Sequence, residues 1–489
     1  MDILVENPAY RRETPQIFPQ KRSFADVFAE RHNESRCIIL SMDTNQTAQY
    51  KKMVETPIPK LITRLAIPTV ITMLITTIYN MADTAFVSVL GTSASGAVGI
   101  VFGFMMILQA IGFLFGQGAG AIMSRQLGKK DVDSASHFAS LGFFSAFFLS
   151  IIAAIICFFF LDGLMVLLGS TPTIKPYAAA YTTYILISAP FIVGSFSLNN
   201  FLRYEGKASL GMVGMLTGAL LNIAGDPLFM FVFDMKIAGA GLSTCLSQII
   251  SFFILISFYL RGKTTCKISI RNIRINASDF FDVAATGLPS LLRQGLQSVS
   301  TIMLNYMAGP YGDPAIAGMS IVSRVIFFVF SVALGIGQGF QPVSAFNYGT
   351  KRYDRIREAF RFSFLLAEGC IAVLSIGVLI FSGSIIAIIR DDPAVIEVGT
   401  RALQLQCLSQ LCAPFCTMAE MQLQSTGKKL QASILSSLKS GILFIPILYV
   451  LAKWRGLAGI QEAQPVANVV MLIPCVIFAV WFFKNLPQE

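Results

Sequence analysis

A long internal repeat constrains this chain more than any other feature. A shift of 221 positions places proline, glycine and charged residues of the first half on identical residues of the second half. The matched pairs are Pro68 and Pro289, Gly116-Gln117-Gly118 and Gly337-Gln338-Gly339, Gly128 and Gly349, Lys130 and Lys351, Asp133 and Asp354, and Gly206-Lys207 and Gly427-Lys428. One ungapped register across more than half of the chain indicates a duplicated structural unit.

The composition indicates that this unit lies in a membrane. Of 489 residues, 54% are hydrophobic and 13% are charged, about half the charged share of a soluble domain. Uncharged runs such as 138–161 and 237–260 exceed the roughly 20 residues that a helix needs to cross a bilayer. Nine scattered cysteines and two histidines show no metal-type spacing. We therefore predict an all-α integral membrane protein.

Charged and Gly/Pro/Asn-rich breaks divide the chain into about twelve transmembrane helices. The predicted spans are 61–89, 95–124, 137–161, 175–202, 208–232 and 237–260 in the first half, and 280–309, 314–346, 358–386, 394–423, 430–452 and 457–484 in the second. Because six is an even number, both halves start on the same side of the membrane. The sequence therefore predicts two parallel six-helix repeats, an architecture typical of secondary transporters.

The distribution of basic residues predicts the orientation. The loops after helices two, four, six, eight and ten hold seventeen lysines and arginines, Arg125 and Arg203 among them, whereas the opposite loops hold five. By the positive-inside rule, both termini are expected in the cytoplasm, with the chain in the cytoplasmic (plasma or inner) membrane. The net charge of +10 is then a topology signal, and nucleic-acid binding is the weaker explanation.

Four segments follow from these boundaries. Residues 1–55 are polar and charged without sustained apolar periodicity, and we predict a disordered or weakly ordered cytoplasmic extension. Residues 56–260 form the predicted N-lobe with helices one to six. Residues 261–277 form a basic cytoplasmic linker, and residues 278–489 form the C-lobe with helices seven to twelve.

Two acidic residues lie where a membrane helix rarely tolerates charge. Asp83 is in the middle of the first span, and Asp226 follows Asn222 by four positions in the fifth, so these two share a helix face. Pro227 cannot donate to the carbonyl of Ile223, which leaves a backbone acceptor beside that face. Two carboxylates in a low-dielectric pocket cannot both stay charged without a partner. Either one binds a proton, or a cation such as Na⁺ lies between them with oxygen ligands around it.

Several motifs together resemble one family. They are Ile67-Pro68, Tyr79-Asn80-Met81-Ala82-Asp83-Thr84, Gly116-Gln117-Gly118, Arg203-Tyr204-Glu205-Gly206-Lys207, and Asn222 to Pro227. In order and spacing they resemble the multidrug and toxic compound extrusion (MATE) family, particularly its bacterial DinF- and MepA-type branches, over roughly residues 56 to 485.

The resemblance implies two six-helix lobes around a central cavity that work by alternating access. It also implies export of amphipathic, mostly cationic compounds in exchange for H⁺ or Na⁺, with no cofactor. In related members the coupling cation binds in the amino-terminal lobe, and the matching residues here are Asp83, Asn222, Asp226, Thr244 and Asn199. No catalytic residue and no metal site beyond a possible Na⁺ are implied.

The second half departs from the family in one respect. Some members carry an acid on helix seven, but Pro289 to Gln297 contains none, and the repeat shift places Leu304 at the position of Asp83. We therefore expect coupling in the N-lobe. Candidate residues of the substrate cavity are Tyr79, Gln117, Arg293, Gln294, Gln297, Gln338, Glu420 and Lys439. Arg293 or Lys439 could neutralise Glu420 or Glu462, or an acid there could attract cationic substrates.

Other classes of protein fit less well. A flippase for lipid-linked oligosaccharides would favour a strongly cationic cavity, whereas intramembrane basic residues here are few. An intramembrane enzyme would need a nucleophile with a base, or a set of metal ligands, and the sequence shows no such constellation. The repeat and the paired acids give no particular support to a channel or a membrane scaffold. The Gly-Gln-Gly segments lie inside apolar helices without a preceding strand, which excludes a nucleotide-binding loop. The expected partners are small amphipathic substrates and the lipid bilayer, with no nucleic acid and a monomeric functional unit.

Overall fold

The computed structural model describes residues 47–274 and 276–487, which are helical apart from short connections. The predicted extension 1–55 falls within this part only over residues 47–55, and the rest of it lies outside the described residues. Residues 47–55 are helical and carry the buried side chain of Met53, which differs from the predicted disorder.

Six long helices make up the N-lobe. They are α1 (Ile58–Ser88), α2 (Thr92–Gly128), α3 (Val132–Phe159), α4 (Lys175–Tyr204), α5 (Ala208–Pro227, continued by a π-helical turn, Leu228–Val232) and α6 (Lys236–Leu260). A short helix, Leu161–Leu167, joins α3 to α4.

Six more elements make up the C-lobe. They are α7 (Ala277–Ala308), α8 (Asp313–Gly349), α9 (Tyr353–Ile380), α10 (Pro393–Gln410 and Ala413–Ser425), α11 (Lys429–Ser437, a π-helical turn at Leu438–Ile442, and Phe444–Arg455) and α12 (Leu457–Lys484). A short helix, Ser382–Ile389, precedes α10. The predicted layout of two six-helix repeats is confirmed.

Local sequence explains where several helices begin. Asp131, Asn276 and Asp392 cap α3, α7 and α10, each accepting a backbone N–H of the first turn at 2.9 to 3.0 Å. Ten helices of the described part are long and apolar enough to cross a membrane. The other two, α7 and α10, are more polar along their length, and α10 is interrupted at Leu411-Cys412.

Backbone conformation repeats along with the sequence. Lys130 and Lys351, which are mates under the shift of 221, both adopt a left-handed φ of 63°. Gly206 and Gly427, a second pair of mates, have φ values of 77° and 81°. A lysine rarely adopts a positive φ, so its recurrence at both positions indicates that the two halves share their turns as well as their helices.

The lobes meet through closely packed backbones. A Cβ on Gly287 of α7 would lie 1.7 Å from the carbonyl oxygen of Leu114 on α2, and one on Gly349 would lie 2.1 Å from the carbonyl oxygen of Arg125. Gly349 lies against its own repeat mate, Gly128, so the pseudo-twofold axis passes between them. Small residues permit such close approach of membrane helices. The contact of Gly128 with Gly349 holds the lobes together at the end where α2 and α8 finish, which we call the basic end, and the contact of Gly287 lies about 21 Å further inside along α2.

The helix of residues 47–55, here called the strap helix, crosses the basic end. Gln49 donates to the backbone oxygen of Glu205 in the N-lobe at 2.5 Å. Tyr50 packs against Phe346 of α8, with ring centroids 5.5 Å apart. Arg355 of α9 donates to the carbonyl oxygen of Thr56, immediately after the strap helix, at 2.7 Å. The strap helix and the residue after it therefore contact both lobes.

Candidate ion-binding site

Four predicted residues meet inside the N-lobe. Asn222 of α5 donates to Asp226 at 3.2 Å and lies 3.1 Å from the hydroxyl of Thr244 on α6. The spacing of four positions places Asn222 and Asp226 one above the other on the inner face of α5. Asp83 of α1 lies close enough for its charge to interact with that of Asp226. All four side chains are buried.

A tyrosine completes this cluster. The hydroxyl of Tyr181 on α4 donates to Asp83 Oδ2 at 3.0 Å and also interacts with Thr244. Tyr181 is fully buried, so its hydrogen bond is shielded from water. Helices α1, α4, α5 and α6 thus each contribute a polar side chain to one enclosed site.

Among the residues that the structure describes, three oxygen atoms in the cluster have no hydrogen-bond partner. They are Asp83 Oδ1, Asn222 Oδ1 and Asp226 Oδ2, all buried. Within the described residues, no lysine, arginine or histidine nitrogen lies within 4 Å of either carboxylate. A buried acceptor without a partner costs about 1–3 kcal/mol, and more when it is charged. The cluster is therefore chemically suited to bind a proton or a hard cation through oxygen ligands.

Asn199 does not join the cluster, in contrast to the expectation from the family resemblance. It lies beside Thr69, Thr72, Arg203 and Ala208, around a cavity with room for one water at most. The reason is its position on α4. Asn199 is 18 residues beyond Tyr181, which corresponds to about 27 Å along a helix.

Sequence reasoning missed three polar residues of this region. Ser243 donates to the backbone oxygen of Asn222 at 3.1 Å, and Gln248 on α6 has a buried, unpartnered side-chain oxygen. Gln248 follows Thr244 by four positions and therefore lies on the same face of α6, and this spacing could have predicted it from the sequence. Tyr181 gave no such signal, because its partner is 98 positions away in the chain.

The candidate residues of the C-lobe form a different arrangement. Arg293 of α7 donates to Glu420 of α10 at 2.7 Å, and Ser436 of α11 donates to the same oxygen at 2.6 Å. The ion pair is buried, which supports the interpretation that a basic residue neutralises Glu420. Lys439 donates to Thr417 at 2.8 Å and lies 4.5 Å from the ring centroid of Phe330. Glu462 pairs with Arg455 rather than with Arg293 or Lys439.

The remaining cavity candidates divide into two groups. Gln294 is half-buried and Gln297 is exposed on α7, whereas Tyr79 on α1 is buried. Gln117 and Gln338, which are repeat mates, are buried in contacts between the lobes. In this conformation the two glutamines therefore close the basic end and do not line an open cavity.

The contacts of these glutamines follow the pseudo-twofold symmetry. Gln338 accepts a hydrogen bond from Arg203 of α4. The repeat mate of Arg203 is Gln424, which donates to Ser290 at 2.7 Å, and Ser290 donates to Gln117 at 2.6 Å. Each of these two glutamines thus takes part in a polar contact across the lobes. Gln338 is bonded directly to Arg203, whereas Gln117 is linked to Gln424 through the hydroxyl of Ser290.

Comparison with known proteins decides the family. The MatE family profile matches residues 68–228 and 289–450, one copy for each half of the repeat. The chain belongs to the MatE family. The second match begins 221 positions after the first, which is the register of the sequence repeat. MatE proteins with known names or structures resemble this chain over most of its length.

Multidrug export protein MepA of Staphylococcus saprophyticus is 27% identical over 406 residues, which cover 83% of this chain and 90% of that protein. A MOP superfamily transporter from Pyrococcus furiosus has the same fold with a TM-score of 0.85, at 23% identity over 90% of this chain and 99% of the other. A multidrug resistance MATE family transporter in an outward-facing conformation aligns with a TM-score of 0.84, at 24% identity over 89% of this chain and 98% of the other. As a member of the MatE family with ten apolar helices long enough to cross a membrane in its described part, this chain is a multi-pass membrane transporter.

Proposed function

We propose that this MatE protein is a cation-coupled antiporter that exports amphipathic, mostly cationic compounds across the cytoplasmic membrane. The observation that carries the proposal is the pair of buried carboxylates, Asp83 and Asp226, with three unpartnered oxygens in their cluster and no basic side chain within 4 Å in the described part of the chain. Such a cluster gains free energy by binding a cation, so an ion gradient can act on it. The names of the MepA relatives support drugs as the exported compounds.

The position of the cluster supports alternating access. Asp83 is 25 residues into α1, which places it about 37 Å along the helix from its start at the basic end. The basic end is closed by the contact of Gly128 with Gly349 and by the strap helix. The ion cluster therefore lies in the opposite half of the N-lobe. The seventeen basic residues support the assignment of the closed basic end to the cytoplasm.

The transport cycle we propose uses the hydrogen bonds of the cluster. A proton or Na⁺ that enters from outside binds the unpartnered oxygens of Asp83 and Asp226. Neutralisation weakens the hydrogen bond from Tyr181 and changes how α1, α4, α5 and α6 pack, and the substrate is released outward. Return of the transporter requires opening of the basic end, where Arg203 and Gln338 separate and the cation leaves to the cytoplasm.

The charge of the C-lobe interior supports ion coupling in the N-lobe. Glu420 already has an internal cation, Arg293, and Lys439 adds a second basic group nearby. A cation from outside would therefore gain little free energy by binding in the C-lobe interior. The same pairing of Arg293 disfavours a flippase for lipid-linked pyrophosphates, because the arginine is held by a carboxylate and is not free for a phosphate.

Substitution of Asp83 by asparagine tests the proposal. Asp83→Asn retains the shape and removes the charge, so coupled efflux of a cationic dye from energised inverted vesicles should be abolished while membrane insertion remains normal. Asp162→Asn is the matched control, because Asp162 is an exposed acid paired with Lys175 outside the cluster. Undiminished efflux by Asp83→Asn would contradict the proposed function.

A further inference from the structure

The linker between the lobes is fixed to the N-lobe through its backbone. The carboxylate of Glu205 accepts the backbone N–H groups of Thr265 and Cys266 at 2.9 and 3.1 Å. The hydroxyls of Ser136 and Ser140 on α3 accept those of Lys267 and Ser269, both at 3.1 Å.

The next part of the linker is fixed by His137. Its Nδ1 accepts the backbone N–H of Arg274 at 3.1 Å and lies at the same distance from the carbonyl oxygen of Asn272. Its Nε2 lies 3.2 Å from Asp279 at the start of α7. These bonds use the linker backbone and none of the lysine or arginine side chains of the linker.

The linker side chains carry a positive charge that no acidic residue of the linker balances. Residues 261–277 contain no acid and five exposed basic residues, namely Arg261, Lys263, Lys267, Arg271 and Arg274. None of the five forms an ion pair within 4 Å among the described residues.

The acids near the linker are already engaged. Asp279 lies against His137, and Asp282 pairs with Lys429 at 2.6 Å. Asp131 interacts electrostatically with Arg274, but its side chain caps α3 by accepting the N–H of Ser134. Among the described residues, none of these acids forms an ion pair with a basic residue of the linker.

Exposed apolar side chains flank these charges. Leu260, at the end of α6, is 79% exposed, Ile270 is 61% exposed and Phe281, in the second turn of α7, is 67% exposed. Leu260 lies where the chain leaves α6, Phe281 lies where it enters α7, and Ile270 lies in the linker between them. Apolar side chains beside lysine and arginine at the end of a transmembrane helix match the boundary between acyl chains and headgroups.

We propose that residues 261–274, here called the linker strip, bind the headgroups of anionic phospholipids in the leaflet at the basic end. Lys267, Arg271 and Arg274 contact the phosphates, and Leu260 and Ile270 lie at the acyl boundary. The bound lipids tie the connection between the two lobes to the membrane surface. The site does not depend on the identity of the exported compound or of the coupling ion.

Headgroup-proximal photo-crosslinking in nanodiscs tests this site on the full chain. Two probes with identical acyl chains, a phosphatidylglycerol and a phosphatidylcholine, are compared by mass spectrometry of the labelled peptides. We expect the anionic probe to label peptides of the linker strip about tenfold more than the neutral probe, which is less than three independent basic contacts could give. Added NaCl should reduce this preference in the unmodified protein.

A matched pair of variants locates the effect. The first combines Lys267→Gln, Arg271→Gln and Arg274→Gln, which changes side chains and leaves the backbone bonds in place. The control removes three exposed charges elsewhere at the basic end, through Lys129→Gln, Lys351→Gln and Arg361→Gln. The preference should be lost only in the first variant. Equal labelling by the two probes in the unmodified protein, or an equal loss in both variants, would overturn the proposal.

Discussion

Replacing Tyr181 by phenylalanine should strengthen binding of the coupling ion. In the structure the Tyr181 hydroxyl donates to Asp83 Oδ2 at 3.0 Å in a fully buried environment. A hydrogen bond to a charged acceptor contributes about 1.5–3 kcal/mol, and one to a neutral acceptor about 0.5–1.5 kcal/mol. The bond therefore favours the ion-free, charged Asp83 over the neutralised one.

The difference of about 1–1.5 kcal/mol sets the size of the effect. Without the hydroxyl, the charged carboxylate loses more than the protonated one, so a proton should bind about five- to tenfold more tightly. The assay is drug efflux from inverted vesicles as a function of proton concentration. The concentration for half-maximal coupling should fall in Tyr181→Phe, and the maximal rate should also fall because ion release is slower.

Tyr184→Phe is the control for this experiment. Tyr184 lies one turn further along α4 and packs against Gly241, and no hydrogen bond to its hydroxyl is present in the described structure. Its half-maximal concentration should equal that of the unmodified protein. If Tyr181→Phe requires the same or a higher ion concentration than Tyr184→Phe, the reasoning about the charged state of Asp83 is refuted.

Three further predictions concern the closed basic end and the C-lobe. Arg203→Ala removes a direct polar contact between the lobes and should widen the distance between spin labels on the loops after α2 and α8; an unchanged distance would argue against a closing role. Met53→Ala should lower the unfolding temperature in detergent, because truncation of a buried methionine costs about 2–5 kcal/mol, whereas the exposed Lys51→Ala should not. Glu420→Gln leaves the buried Arg293 without its charged partner and should lower the free energy of unfolding by about 3–5 kcal/mol. Glu462→Gln, in a more exposed ion pair, should lower it by only about 0–1 kcal/mol, and equal effects of the two variants would contradict the assignment of Glu420 to a buried ion pair.

The repeat and the helix boundaries were readable from the sequence because local chemistry determines them. Prolines, glycines and charges interrupt the apolar runs, and the predicted spans agree with the helices to within a few residues at most ends. The larger deviations are at the starts of α3 and α9, which begin before the predicted spans and include charged residues, and at the end of α9, which stops before a short additional helix. The length of an apolar run predicts the position of a helix end less accurately than a capping residue does.

The ion cluster was only partly readable. Asn222 and Asp226 are linked by helical spacing, and Asp83 is conspicuous as an acid within an apolar helix. Tyr181 was not identifiable, because a tyrosine in a membrane helix most often packs or lies near the interface. Its role depends on the packing of α4 against α1, which no local pattern specifies.

Arg203 illustrates a second limit. In the sequence it is one of seventeen basic residues near loops, and it served as a topology signal. In the structure its side chain is fully buried and donates to Gln338 across the lobes and to Asn200 on its own helix. The number of basic residues at a helix end predicts orientation, but it does not distinguish a solvated charge from one that holds two lobes together.

Ion release from the purified protein tests the central claim most directly. A cationic amphipathic dye is added to the detergent-solubilised transporter in weak buffer, and released protons and Na⁺ are measured in separate experiments. We expect release from the unmodified protein and none from the variant that combines Asp83→Asn with Asp226→Asn. Release of as many ions from this variant as from the unmodified protein would contradict the claim that the two carboxylates bind the coupling ion.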